Sequence, residues 1–99
     1  MAFILKVHKT GDGRKLVCVT DEELLGKKFE EGSRQLDFTS SFYKGEQKPD
    51  DLIEKHIMSS YTTIFSGRDS VAYGLRLGVI GKQGILIVKG IPQAQCMIG

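Results

Sequence analysis

The run Ile85-Leu86-Ile87-Val88 limits what this chain can fold into more than any other stretch, because four aliphatic residues stand together between Gly84 and Lys89-Gly90. A strand with one solvated face alternates, so an unbroken run predicts a closing strand covered on both faces. Proline has no amide hydrogen, and Pro92 is expected to end that strand's ladder.

The chain before this run must supply the cover. Phe3 to His8 alternates, with Phe3, Leu5 and Val7 on one face and Ile4, Lys6 and His8 on the other. Thr10-Gly11-Asp12-Gly13 is turn-forming, and Lys15 to Val19 returns as the second strand of a hairpin. Thr20-Asp21-Glu22-Glu23 has the hydroxyl-to-carboxylate spacing of a capping box, which predicts a short helix that Gly26 ends. Lys27 to Phe38 reads as one weak polar strand or loop, with Leu36 and Phe38 on the same side. The loop Thr39 to Gln47 carries Phe42 and Tyr43, two aromatics expected to pin it to the core.

Pro49-Asp50-Asp51 opens the strongest helix, with an apolar stripe of Ile53, Ile57, Tyr61 and Ile64 or Phe65. Ser66-Gly67 interrupts it. A second helix follows, capped from Ser66, with Val71, Ala72, Leu75 and Val79 as its stripe and Gly78 at its C-terminal cap. The helices are consecutive and do not alternate with strands. The expected fold is therefore α+β: a two-layer sandwich of a mixed, mainly antiparallel sheet with two main helices and one short helix. Residues 1–99 are expected to form a single domain.

Charge narrows function less than it narrows the fold. The net charge is only +2, too small to require a nucleic-acid partner by field strength alone. Its distribution is uneven: residues 1–20 carry four basic and one acidic side chain, and residues 59–99 also carry four against one. Residues 21–38 carry three basic and six acidic, so the middle is acidic between two basic ends. No apolar run approaches the roughly 18 residues of a membrane span. No signal peptide is recognisable, and two cysteines far apart, Cys18 and Cys96, read as reduced thiols of a cytoplasmic protein.

Catalytic patterns fail on inspection. Gly78-Val79-Ile80-Gly81-Lys82-Gln83 lacks both the spacing and the hydroxyl of a phosphate loop, and Gly11-Asp12-Gly13 lacks the third glycine of a dinucleotide fingerprint. His8 and His56 have no ligand at metal-like spacing, and the acids Asp21, Glu22, Glu23, Glu30 and Glu31 have no EF-hand order. The sequence assigns no catalytic residue, no cofactor and no metal. If the first hairpin and the closing strand are neighbours, the two basic ends meet, and Lys6, Lys15, Arg68 and Lys89 with the amides of Gln93 and Gln95 form an expected RNA-binding surface. RNA or the ribosome is then the expected partner. The alternative is a protein-protein interaction module using Glu22, Glu30, Glu31 and the loop Phe42 to Glu46, and an enzymatic reading rests only on a pocket near Ile91 to Gln95.

Thr20-Asp21-Glu22-Glu23-Leu24-Leu25-Gly26-Lys27 with Phe29, then Phe42-Tyr43-Lys44-Gly45-Glu46, Gly67, and Gly90-Ile91-Pro92-Gln93-Ala94-Gln95 resemble an archaeal family known as domain of unknown function number 424. The resemblance covers nearly the whole chain. It implies an archaeal cytosolic protein with a compact α+β fold, without an established activity or cofactor. Small archaeal families of this kind are associated with RNA and translation, an associational argument that agrees with the basic ends. In the family pattern the residue after the proline is often histidine, and here it is Gln93. The exchange removes a titrating group and keeps hydrogen bonding.

Overall fold

A computed structural model describes residues 3–98. The fold is α+β, with a mixed six-stranded sheet, two α-helices and a separate two-stranded hairpin. The alternating stretch forms β1 (Phe3–Lys9), and the hairpin returns as β2 (Lys15–Asp21). The next strands are β3 (Lys28–Glu31), β4 (Arg34–Asp37) and the two-residue β5 (Glu46–Gln47). Helix α1 (Asp50–Met58) leads into β6 (Thr62–Ser66), and α2 (Arg68–Leu77) is followed by β7 (Leu86–Val88) and β8 (Ile91–Met97).

The sheet order is β5-β1-β2-β6-β8-β7. β2 and β6 run parallel at its centre, from Leu16 opposite Thr62 to Thr20 opposite Ser66, and every other pairing is antiparallel. One sheet face sends Phe3, Leu5, Val17, Val19, Phe65 and Cys96 against Ile53 and Ile57 of α1 and Val71 and Tyr73 of α2. On the other face a smaller cluster joins Leu24, Leu36, Phe38 and Val88, with Phe29, Tyr43 and Ile91 around it. Tyr43 meets Phe38 edge-on at 4.8 Å and pins the loop to the core as expected, whereas half-buried Phe42 stacks on His8 at 4.6 Å outside the core clusters.

The closing strand departs from its expectation. β7 lies at the sheet edge; Val88 is fully buried, but Leu86 is 37% and Ile87 53% exposed. Helix α2 packs on β2, β6 and β8, and Ile87 sits one strand beyond that cover. Nor does Pro92 end the ladder. It lies within β8 opposite Ile87, and its carbonyl accepts from the Gly67 N–H at 2.8 Å. The pairing of β8 with β6 begins only at Gln93, so the missing proline N–H leaves no carbonyl of β6 waiting for it.

A central strand was hidden inside the first helical stripe. The helix stops at Met58, and Thr62-Thr63-Ile64-Phe65-Ser66 forms β6. Three β-branched residues in succession favour an extended backbone over a helix, and the pleat buries Thr63 and Phe65 together. The capping box fails as well: Glu22–Leu24 forms a single 3-10 turn and Asp21 makes no bond to its own helix start. The weak strand is a true hairpin of β3 and β4, paired from Lys28 opposite Asp37 to Glu31 opposite Arg34.

Candidate nucleic-acid interface

Strand register decides which side chains share the sheet face opposite the helices. Ile4, Thr20, Ser66, Gln93 and Leu86 form one row across β1, β2, β6, β8 and β7. Lys6, Cys18, Ile64 and Gln95 form the next, followed by His8, Leu16, Thr62 and Met97. Among the described residues, none that the strands of this sheet send to that face is acidic. The first row lies beside the cluster of Leu24, Phe38 and Tyr43. The last two rows reach the solvent in part: Gln95 is exposed and Met97 64% exposed, while Cys18 is fully buried.

Three of the six expected binding residues, Lys6, Gln93 and Gln95, therefore share one face, with Lys6 and Gln95 about 14 Å apart across three strand spacings. The other three lie elsewhere. Lys15 is on the helix side of β2, where its Nζ donates to Ser59 Oγ at 2.5 Å and meets His56 Nδ1 at 3.2 Å. Lys89 holds the turn between β7 and β8 at φ +52°, and its backbone N–H donates to Glu31 Oε1 at 2.9 Å. Arg68, the first residue of α2, lines a cleft of about 430 Å³ with Asp21, Glu23, Lys27, Phe29, Asp69 and the segment Gly90 to Pro92. The part of the closing segment expected to form a pocket thus contributes Ile91 and Pro92 to a cleft, while Gln93 and Gln95 stand on the sheet.

Gln93 is not idle there. Its Nε2 donates to Ser66 Oγ at 2.9 Å and to the Tyr43 hydroxyl at 3.3 Å, tying β8, β6 and the aromatic loop together. Neither Ser66 nor Tyr43 stood out as a partner in the sequence, because the contact needs β6 to be a strand beside β8. The Tyr43 hydroxyl is held above its usual range, chiefly by burial. Further along the same row, the buried Thr20 hydroxyl has no hydrogen-bond partner among the described residues.

In the cleft, the carboxylate of Asp21 is spent on α2. Oδ2 accepts from the Asp69 N–H at 3.0 Å, and Oδ1 accepts from the Ser70 N–H at 2.8 Å and the Ser70 hydroxyl at 2.7 Å. Asp21, Glu23 and Asp69 do bring carboxylates together. The most buried of them already completes the exposed end of a helix, which is the reason a short acid cluster forms at this point.

The cleft, the aromatic loop and the sheet from His8 onward lie within the span matched by a family model. The model, described as a protein of unknown function (DUF424), matches residues 8–98. The chain belongs to this family. The DUF424 chain also resembles a solved structure described as an uncharacterized conserved protein from Methanopyrus kandleri, with a TM-score of 0.76 and 24% identity over 99% of this chain and 92% of the other. That likeness establishes a shared fold. None of the curated proteins compared with the DUF424 chain matches it. In this DUF424 chain no helix of the described residues is long and apolar enough to cross a membrane.

Both cysteines are free, and they cannot meet, because Cys18 and Cys96 face opposite sides of the sheet. Cys96 is buried in β8. Burial pushes the Cys18 thiol up to about 12, with nearby Lys6 pulling the other way. The native protein should therefore react with a thiol-specific alkylating agent at pH 8 far more slowly at Cys18 than the urea-unfolded chain does, as read by peptide mass spectrometry. The folded state keeps the proton that the unfolded thiol loses near 9, so Cys18 contributes stability that is complete below pH 9 and lost progressively toward pH 12. Replacing Cys18 with Ala should flatten that alkaline decline in urea titrations.

Proposed function

We propose that this protein is a non-catalytic RNA-binding module, an α/β sandwich whose sheet face opposite the helices receives a single strand of RNA in translation-associated work. The observation that carries the reading is the absence of any acidic side chain among the described strand residues on that face, where Lys6 and Gln95 stand. A face without carboxylates does not repel phosphates, a lysine there can replace a condensed counterion, and exposed amides offer both donors and acceptors to bases. The His8–Phe42 stack at the rim adds aromatic surface of the kind on which bases stack. Arg68 and Lys89 extend the positive charge at a different end of the molecule, so their contribution is to approach of the RNA rather than to a shared site.

The test is binding to total archaeal rRNA and tRNA across a salt series. Affinity is expected to fall steeply with salt, and Lys6→Ala should weaken it and reduce the logarithmic salt slope by about 1. Binding that is absent at low salt, or indifferent to salt, overturns the reading. In that event the exposed edge of β7, with Leu86 and Ile87 open to solvent, favours a protein partner that adds a strand there, and partners captured from nuclease-treated extract are the expected sign of it.

A further inference from the structure

The end of α1 carries a group of side chains that the sheet-face reading does not use. The Tyr61 N–H donates to the Lys15 carbonyl at 2.8 Å, which fastens the start of β2 to the junction of α1 and β6. Lys15 therefore crosses the last turn of α1, where its ammonium lies 2.5 Å from Ser59 Oγ and 3.2 Å from His56 Nδ1. Lys15, Lys55, His56 and Ser59 line a hollow of about 190 Å³, the liquid volume of about six waters. A second hollow on the other side of Lys15 is lined by Gly13, Arg14, Ser59, Ser60 and Tyr61. Arg14 lies over the Tyr61 ring at 4.4 Å and is paired with Asp12 at 3.1 Å.

A lysine near a helix C-terminus is favourable by itself, through the negative end of the dipole. That explanation covers the charge and the contact with Ser59, whose hydroxyl donates to the Lys55 and His56 carbonyls at 3.1 and 3.2 Å, but not the contact with His56 Nδ1. The surroundings of His56 are cationic from three sides: Lys15 on β2, Lys48 beside the hollow at β1 and β5, and Lys55 on its own helix. Glu46 faces the same region and is paired with Lys48 at 3.1 Å, and Asp51 and Glu54 of α1 line an adjoining hollow with Lys55 and Ser59. Burial, with Lys15 and Lys48, holds the imidazole below its usual range.

We propose that Lys15, His56 and Ser59 form a binding site for a phosphate group, flanked by Arg14 and Lys55. An ammonium and an imidazole that can accept a proton match the oxygens of a tetrahedral phosphate, and the Ser59 hydroxyl joins them by turning its hydrogen away from the Lys55 and His56 carbonyls. The bound anion takes the place of the lysine as the partner of His56 Nδ1, which then carries a proton and donates to it. Phosphate binding and His56 protonation are therefore linked: the anion raises the imidazole's affinity for a proton, and protonation raises affinity for the anion.

The site is independent of the sheet face and is tested without RNA. The His56 ring resonances are followed by NMR over pH 5 to 8 in chloride and in inorganic phosphate at matched ionic strength. Phosphate is expected to raise the His56 midpoint saturably, and Lys15→Gln to weaken that response about tenfold or more, as loss of a charge-assisted hydrogen bond should. Ser59→Ala provides a second variant that leaves all charges in place and should weaken phosphate binding less. A dinucleotide with a 5′-phosphate, compared with the same dinucleotide ending in a 5′-hydroxyl, separates a terminal phosphate from a backbone phosphodiester as the natural source. A His56 midpoint that phosphate moves no further than chloride does, or moves equally in the Lys15→Gln protein, overturns the proposal. Failure here leaves the Lys6 salt-series result standing, and the reverse also holds.

Discussion

Gly67→Ala should cost about 3 kcal/mol of stability or more, read as a lower urea midpoint at unchanged slope. Two independent effects add at this position. Gly67 has φ +107° and ψ 162°, a conformation that residues with a Cβ rarely adopt, at a cost of about 1–3 kcal/mol. A Cβ there would also lie 2.3 Å from the Asp21 carboxyl carbon and from Oδ2, well inside contact. The backbone cannot simply swing away. The Gly67 N–H is bonded to the Pro92 carbonyl at 2.8 Å, and its own carbonyl accepts the Val71 N–H at 2.9 Å. For a domain whose whole stability lies at roughly 5–15 kcal/mol, such a loss is a large fraction. A cost below 1 kcal/mol would mean that Asp21 moves aside freely and does not hold α2 in place.

Gly67 also shows how far the sequence could be read. Its role as a break between two elements was visible, because Ser66-Gly67 interrupts an apolar stripe. Which element preceded it was not. Ile57, Tyr61 and Ile64 repeat at helical spacing by coincidence across the end of α1, the junction and β6, and only the β-branched run Thr62-Thr63-Ile64 distinguishes the strand. Once β6 is missed, the neighbours of β2 and β8 cannot be assigned, and with them goes the contact of Gln93 with Ser66. The hairpin, the start of α1 at Pro49-Asp50 and the left-handed cap at Gly78 were legible because each depends on residues close in sequence.

The run Ile85 to Val88 illustrates the opposite failure. An aliphatic stretch reports a preference for burial but not the area of cover available, and here the helices end one strand short of Ile87. The basic ends present the same difficulty in electrostatic form. Lys6 and Lys15 are nine residues apart on neighbouring strands, yet the pleat and the hairpin turn put them on opposite faces, one beside Cys18 and the other beside Ser59. Charge counted along the chain therefore predicted one surface where the fold builds three regions, with Arg68 and Lys89 apart from both lysines, and that separation is what makes a distinct phosphate site at the end of α1 worth testing apart from the sheet.

Asp21→Ala should be nearly as damaging as the glycine change, with an expected loss of about 2–4 kcal/mol. It removes the acceptor of two backbone N–H groups and one hydroxyl at the start of α2, and Ser70 is fully buried, so water cannot replace the carboxylate there without rearrangement. Asp21→Asn keeps one oxygen and loses the charge that favours a helix N-terminus, so its cost should fall between those of the wild type and Asp21→Ala. The decisive measurement is the double variant. In Gly67→Ala/Asp21→Ala the carboxylate that the new Cβ would strike is gone, leaving mainly the backbone strain at residue 67. The combined loss should fall short of the sum of the single losses by about 1 kcal/mol or more, the size of coupling seen between residues in contact. Strict additivity would show that the two residues act separately, and that α2 is held by its packing on β2, β6 and β8 rather than by the bond from Asp21.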